Sequence, residues 1–229
     1  MTIFRYALLR GIRNPFSLAC TYILPIVLLL IRPLWADGSV GGFSLLALIT
    51  MGGSYTMSLS IMTDKADGAI LRILAAPITM RRYLMENLLS CAVPLLVQMA
   101  VVSALGRVLY DWSLTLSMAV FLCYTVLTLA SVAMAFAWHC LFKSRENSAA
   151  GFSLVLFLTA FLGGLTFPLE FFPGPLEYVG VIFPAYWAMR GMRYVLETGA
   201  ITGEFWIGIA AMLLFAIAFL LYGGKRRIV

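Results

Sequence analysis

"SLTLSMAVFLCYTVLTLASVAMAFAW", residues 113–138, contains no charged side chain. A helix rises about 1.5 Å per residue, so about 20 apolar residues cross the hydrocarbon core of a bilayer. Backbone N–H and C=O groups find no water in lipid, and a helix pairs them within the segment itself. The stretch therefore predicts a membrane-spanning helix.

The rest of the chain has a similar composition. Of its 229 residues, 62% are hydrophobic and 11% are charged, and its mean hydropathy is +0.98. A soluble domain carries about a quarter charged residues, so this chain has too few polar groups to cover a water-facing surface. We predict an all-α integral membrane protein, with one transmembrane domain over residues 1–229. The six predicted spans are about 17–35, 43–63, 83–106, 113–138, 148–167 and 204–222.

The distribution of basic residues predicts the orientation of these spans. Cytoplasmic loops of membrane proteins carry an excess of Lys and Arg. With both termini in the cytoplasm, 12 of the 16 basic residues lie on that side: Arg5, Arg10, Arg13, Lys65, Arg72, Arg81, Arg82, Lys143, Arg145, Lys225, Arg226 and Arg227. We therefore expect a multi-pass protein of the cell (inner) membrane with both termini cytoplasmic. Basic residues at helix ends, instead of in one patch, argue against nucleic-acid binding. The alternative of a cleaved signal peptide would leave five spans.

Residues 2–14, "TIFRYALLRGIRN", are too short to span a membrane. Three apolar side chains share one helical face and three arginines lie elsewhere: Phe4, Leu8 and Ile12 against Arg5, Arg10 and Arg13. This pattern predicts a helix at the inner membrane surface, with its arginines toward lipid phosphates. A frayed basic tail is the alternative.

Several kinds of chemistry are disfavoured. A charge at the bilayer centre costs about 3 kcal/mol or more, and no predicted span carries one near its middle. An ion-coupled carrier needs buried carboxylates or broken helices there. The lone His139, with no H-E-x-x-H or G-x-S-x-G motif, argues against an intramembrane enzyme. The cysteines Cys20, Cys91, Cys123 and Cys140 form no C-x-x-C motif. We therefore predict that they are buried side chains that pack between helices. We predict no catalytic residue, metal ligand or cofactor site. The pairs Arg82 with Glu86 and Arg107 with Asp111 are interpreted as interfacial.

Small and adaptable side chains occupy the middle of the second span. Thr50, Ser54 and Ser58 recur every four residues, with Met51 and Tyr55 beside them. Such a stripe allows close helix packing. It also suits a substrate pathway with uncharged, flexible walls. On the fifth span Phe157, Phe161 and Phe167 indicate either an aromatic gate or core packing. Both alternatives remain open for both sets.

"GAILRILAAPITMRR", residues 68–82, lies between the second and third predicted spans, on the cytoplasmic side. Asp64 and Asp67 precede it, and carboxylates favour a helix N-terminus. Ile70, Ile73 and Leu74 share one helical face, and Pro77 ends the helix. We predict a short helix over 68–76 that presents apolar residues outside the lipid, and such a patch usually binds a partner.

Two stretches carry a resemblance to a known family. "DGAILRILAAPIT", residues 67–79, followed by a span, resembles the first cytoplasmic loop of type-two ABC transporter permeases. "GGLTFPLEFFPGPLEYVGVIFPAYWAMRGMRYVLETG", residues 163–199, resembles the segment after span five of the same family. The length, the amphipathic start and the six spans also fit. One departure is Ala69, where many relatives have threonine.

The resemblance implies the membrane subunit of an ABC exporter. It would pair with a second copy or a paralogue, and with two cytoplasmic ATPases that hold ATP and magnesium. The helix 68–76 would be a coupling helix on the ATPase. The ATPase contacts would be Asp67, Gly68, Ile70, Leu71, Arg72, Leu74 and Pro77, with Arg145 and Glu146 in the second loop. The chain has no G-x-x-x-x-G-K-[ST], so it lacks a nucleotide site of its own. The expected cargo is an amphiphile: a drug, an antimicrobial peptide or a lipid-like molecule. Export of a lipid-linked glycan is the alternative, followed by an ion-coupled carrier.

Residues 166–203 are predicted to face the outside, yet they are too apolar for a free loop. Pro168, Pro173, Pro175 and Pro184 divide them into pieces too short to span. Irregular backbone at membrane depth needs a protein cover or water. We predict a re-entrant hairpin near 175–183, and then an interfacial helix near 185–197. Tyr178, Tyr186 and Trp187 would anchor at the headgroups. Glu170 and Glu177 would either contact substrate or mark the water boundary.

Overall fold

The computed structural model describes residues 2–35, 40–68, 80–142, 144–166 and 179–225, and within these ranges every regular element is helical. The helix α2 (Pro15–Leu30) contains a π-helical turn, Ala19–Ile23, and a short 3-10 turn, Arg32–Leu34, follows the helix. The longer helices are α1 (Thr2–Arg13), α2 (Pro15–Leu30), α3 (Gly41–Ser58), α4 (Ser60–Ala66), α5 (Met80–Tyr110), α6 (Leu114–His139), α7 (Arg145–Leu162), α8 (Pro184–Thr198) and α9 (Gly203–Lys225).

Four described segments are long and apolar enough to cross a membrane: Gly41–Lys65, Met85–Tyr110, Leu114–His139 and Gly203–Gly223. They confirm four of the six predicted spans. The pair α1 and α2 becomes a fifth if it is counted as one span, but it bends by 79°. Asn14 lies at the bend with extended backbone, and its side chain accepts from the N–H groups of Phe16 and Ser17. This N-cap starts a new helix and explains the bend.

The remaining two predicted spans, 17–35 and 148–167, are shorter in the structure. The helix α2 stops at Leu30, ahead of Pro33, and the Trp35 indole donates to the Leu28 carbonyl at 2.9 Å. The helix α7 ends at Leu162, because Gly163 and the left-handed Gly164 (φ 70) terminate it. Its first turn is polar, so its 18 residues are less apolar on average than the four segments above.

The N-terminal segment is a helix, Thr2–Arg13, and not a frayed tail, while its place at the membrane surface stays a prediction. The segment predicted to be helical near 185–197 is the helix α8, and its place at the membrane interface stays a prediction. It begins at Pro184, whose fixed φ suits the first helical position, and ends at the left-handed Gly199. The predicted hairpin lies mostly outside the described residues, as do Phe167, Glu170, Glu177 and Tyr178.

The helix α6 is the centre of the bundle, with 78% of its apolar segment buried by contacts to α3, α5, α8 and α9. Halfway along it, the Tyr124 hydroxyl donates to the Phe43 carbonyl of α3 at 2.6 Å. At one end of the bundle the rings of Trp35, Phe43 and Trp112 pack with centroids 5.1 to 5.4 Å apart. The core therefore holds α3, α5 and α6 together, and the candidate sites lie at the opposite end.

Candidate functional site

The predicted ATPase-coupling segment begins where α4 ends. Asp67 follows the last helical residue and its N–H donates to the Thr63 carbonyl at 2.9 Å. Gly68 has φ 64, a left-handed conformation that suits glycine and ends the helix. The other predicted contacts of this segment, Ile70, Leu71, Arg72, Leu74 and Pro77, lie outside the described residues. Asp64, expected ahead of a helix, lies inside α4 and has a different role.

Asp64 joins three helices next to this segment. The Arg10 guanidinium of α1 donates to both carboxylate oxygens, to Oδ2 at 3.1 Å. The Tyr83 hydroxyl of α5 also donates to Oδ2, at 2.7 Å. The hydrogen bond to Asp64 raises the pKa of Arg10, against the opposing effect of burial. Arg10 therefore stays charged, and the cluster ties α1 to both helices that flank residues 69–79.

A second contact holds the start of α1. The Phe4 N–H at the open N-terminal end of α1 donates to Glu86 Oε2 at 3.0 Å. The other oxygen, Oε1, accepts from Arg82 Nε at 2.9 Å, which confirms the predicted pair. A carboxylate near a helix N-terminus is stabilised by the helix dipole. Both ends of α1 are thus fixed to α5 or α4 through side chains.

The second loop lies beside the first. The Lys65 ammonium of α4 donates to the Phe142 carbonyl at 3.1 Å, next to the start of α7. Ser144 caps α7 by accepting from the Asn147 N–H at 3.2 Å. The predicted contacts Arg145 and Glu146 are exposed in this first turn. The structure therefore brings both predicted loop regions, at Asp67 and at Arg145, to one end of the bundle.

The predicted pathway residues divide into two groups. Thr50, Met51, Ser54, Tyr55 and Ser58 are buried within one protomer. The Thr50 and Ser54 hydroxyls donate to their own helix, to the carbonyls of Leu46 and Thr50. By contrast, Phe157 and Phe161 are 57% and 36% exposed, with ring centroids 4.7 Å apart. Burial of the first group in this conformation supports the packing interpretation for it.

A buried polar cluster near the second loop is a feature that the sequence patterns do not predict. His139 at the end of α6 lies between Ser58 of α3, at 2.9 Å from Nε2, and Ser148 of α7, at 3.1 Å from Nδ1. The Tyr55 hydroxyl donates to Ser148 Oγ at 3.2 Å. In the sequence analysis His139 is considered only as a possible metal ligand or catalytic residue. The available signal is its position at the end of a span, where polar groups of neighbouring helices meet.

The sequence of residues 34–224 matches a family model described as "ABC-2 family transporter protein". The match includes every described span from α3 to α9. A comparison with curated proteins gives no match. Members of this family are the membrane component of ABC transporters, and a separate ABC ATPase is their partner. The chain belongs to the ABC-2 family of transporter proteins and is an integral membrane subunit of an ABC transporter.

Proposed function

We propose that the chain is the permease of an ATP-driven exporter that moves an amphiphile outward across the cell membrane. The cargo class is a drug, an antimicrobial peptide or a lipid-like molecule. Uncharged middles of the spans support an amphiphile over an ion. Export of a lipid-linked glycan is the second candidate, and the large apolar face of α7 is compatible with it. An ion-coupled carrier is the weaker alternative.

The observation that carries the proposal is the exposed face of α7. Near its start, Ser148 and Phe152 are buried, and Phe152 stacks on Tyr55 with ring centroids 4.3 Å apart. Beyond Phe152 an apolar face is partly exposed, formed by Leu154, Phe157, Leu158 and Phe161. Contact with lipid or with a second subunit would cover this apolar face. We infer that a second copy or a paralogue faces α7, with Phe157 and Phe161 along the pathway between the subunits.

The proposal for the other pathway residues needs a conformational change. Thr50, Met51 and Ser54 would line the pathway only in a state in which α3 parts from α6 along its middle. Tyr55 and Ser58 would border the pathway at the end of α3 that stays joined to α6. Phe167 is assigned to the gate from sequence alone. In the described conformation α7 would face the pathway, and α3 would come to line it during transport.

The partner arrangement completes the proposal. Two cytoplasmic ATPases would hold ATP and magnesium and bind the coupling segment 68–76 together with the exposed Arg145 and Glu146. With α2 and α7 as shorter spans the chain would cross the membrane six times, which would put both termini in the cytoplasm and residues 166–203 outside. In this arrangement the Arg10, Asp64 and Tyr83 cluster lies at the inner membrane surface, and so does α1.

Inside-out vesicles that contain the chain and a co-expressed ABC ATPase test the proposal. A fluorescent amphiphile should accumulate in them only with ATP and magnesium, and vanadate should stop it. Phe157→Ala with Phe161→Ala should slow accumulation. The matched control is Phe121→Ala, because Phe121 is another exposed aromatic side chain, 40% exposed on α6. Accumulation driven by an ion gradient without ATP would contradict the proposal and favour a carrier.

A further inference from the structure

The side chains around His139 form a closed ring of hydrogen bonds between three helices. The Tyr55 hydroxyl donates to Ser148 Oγ, Ser148 bonds His139 Nδ1, and His139 Nε2 bonds Ser58 Oγ. The Ser58 hydroxyl then donates to the Tyr55 carbonyl at 2.8 Å. His139, Ser58 and Ser148 are at most 1% exposed. The ring thus lies in the protein interior, where each bond is protected from competing water.

One assignment of protons satisfies all the bonds in the ring at once. The Ser58 hydroxyl donates its one proton to the Tyr55 carbonyl. We then assign His139 Nε2–H as the donor to Ser58 Oγ. A neutral imidazole protonated at Nε2 leaves Nδ1 as an acceptor, and the Ser148 hydroxyl donates to it. With the neutral Nε2–H tautomer every donor and every acceptor in the ring has a partner.

The ring lies where α7 joins the rest of the bundle. The Trp138 indole N–H also donates to the Ser148 carbonyl, at 3.0 Å. Phe152, one turn further, stacks on Tyr55. Past this point α7 exposes its apolar face. The contacts around Ser148 therefore set the position and the direction of α7.

The same region connects with both cytoplasmic loops. Lys65, which ends the segment continuous with α3, bonds the Phe142 carbonyl between α6 and α7. Ser58 lies two turns before Lys65 on that segment, and Ser148 lies one turn after Arg145. A shift of either loop reaches Ser58 or Ser148 through a short length of helix. A helix transmits such a shift as a nearly rigid element.

We propose that His139 is a positioning residue for transport: it locks the start of α7 to α3 and α6, so that ATPase-driven movement of the cytoplasmic loops turns α7 as a unit. The inference rests on the proposed function, because it needs a partner ATPase that moves these loops. Without the imidazole, Ser58 and Ser148 lose their shared partner. The two loops then move without carrying α7 with them.

The test follows the far end of α7 while the ATPase changes state. Thr166 is exposed beyond the last turn of α7, and Thr166→Cys provides a site for a polar maleimide. The chain and its ATPase are placed in nanodiscs, and labelling is compared between no nucleotide and ATP with magnesium and vanadate. Protein without the added cysteine gives the background from the native thiols. ATPase association is measured on the same samples.

The variants separate positioning from folding. His139→Phe keeps a ring beside Tyr55 but removes both bonds, and the nucleotide-dependent difference in labelling rate should fall about fivefold, the lower end of coupling between protein sites. His139→Gln keeps a donor toward Ser58 and should give an intermediate value. The control is Thr128→Val on the same helix, because the buried Thr128 hydroxyl donates to the Tyr124 carbonyl of its own helix. The Thr128→Val variant should show the same nucleotide-dependent labelling as the Thr166→Cys chain without a further substitution.

Each outcome bears on a specific claim. Undiminished nucleotide-dependent labelling in His139→Phe, with the ATPase bound, would overturn the inference and leave the proposed function intact. The same holds if the Thr166→Cys chain that retains His139 shows no response of its labelling to nucleotide. If no ABC ATPase binds the unaltered chain, the proposed function fails first and the inference fails with it. Loss of ATPase binding in His139→Phe but not in His139→Gln would also overturn it, because the role would then be structural.

Discussion

Arg10 donates to both carboxylate oxygens of Asp64, so the N-terminal helix is tied to the helix that leads into the predicted coupling segment. The two residues are 54 positions apart in the chain, and Tyr83 shares the same carboxylate. The helix that we predict to lie at the membrane surface is thus linked to the region that we propose contacts the ATPase.

Asp64→Asn should destabilise the protein more than Arg10→Gln. The asparagine NH₂ group would replace one carboxylate oxygen, so either the buried Tyr83 hydroxyl or the Arg10 guanidinium would lose its acceptor. Leaving such a donor without an acceptor lowers the free energy of unfolding by about 1–3 kcal/mol. Arg10→Gln should cost less, about 1 kcal/mol or below, because the Arg10 side chain is 43% exposed. Thermal unfolding midpoints in detergent measure this, with the exposed Arg13→Gln as control. Equal unfolding midpoints for all three variants would contradict the stabilising role assigned to the bonds of Asp64 with Arg10 and Tyr83.

Gly106→Ala should destabilise the end of the bundle that holds Trp35 and Trp112. A Cβ at Gly106 would overlap the ring of Trp112, which packs against Trp35 and Phe43. Overpacking of this kind costs about 1–3 kcal/mol, more than the helix propensity gained with alanine. The control is Gly203→Ala, because a Cβ at Gly203 meets nothing within 4 Å. A lower unfolding midpoint is expected for Gly106→Ala alone, and a midpoint equal to the control would show that Trp112 packs elsewhere.

The single histidine allows a direct test of the hydrogen-bond ring. In protein labelled with ¹⁵N-histidine, His139 should give one pair of ring signals, with the proton on Nε2 at neutral pH. Ser148→Ala removes the donor to Nδ1 and should shift mainly that signal. Thr128→Val should leave both signals in place. A proton on Nδ1 in the unaltered chain would contradict the bond directions assigned to the ring.

The proposed topology predicts labelling from opposite sides of the membrane. Glu146→Cys, in the exposed first turn of α7, should react with an impermeant maleimide only from the cytoplasmic side. Gly174→Cys, in the predicted outer segment, should react only from outside. Intact cells and inside-out vesicles provide the two directions. Reaction of both cysteines from one side would exclude the arrangement with six crossings.

The sequence was informative where a pattern is local. The uncharged run of α6, the i, i+4 pair of Arg82 and Glu86, and the start of α8 at Pro184 all depend on neighbouring residues. Contacts between distant helices could not be predicted in this way. The pairing of Arg10 with Asp64 and the meeting of His139 with Ser58 and Ser148 depend on how helices pack. The early end of α7 was missed because the apolar run continues past the glycine pair at 163 and 164.

The central claim is that a separate ATPase works on this chain through the segment 68–76. Burying a leucine side chain stabilises by about 1.5–3 kcal/mol, and an aspartate in its place would bury an unpaired charge. Leu74→Asp should therefore weaken ATPase association by much more than tenfold, since about 1.4 kcal/mol is tenfold. Arg72→Gln, beside it, should change association less.

Co-purification of the co-expressed ATPase with Leu74→Asp, set against the amount of chain in the membrane fraction, tests this claim most directly. The account predicts normal membrane insertion with loss of the ATPase. A Leu74→Asp chain that inserts normally and retains its ATPase at the level of the unaltered chain would contradict it.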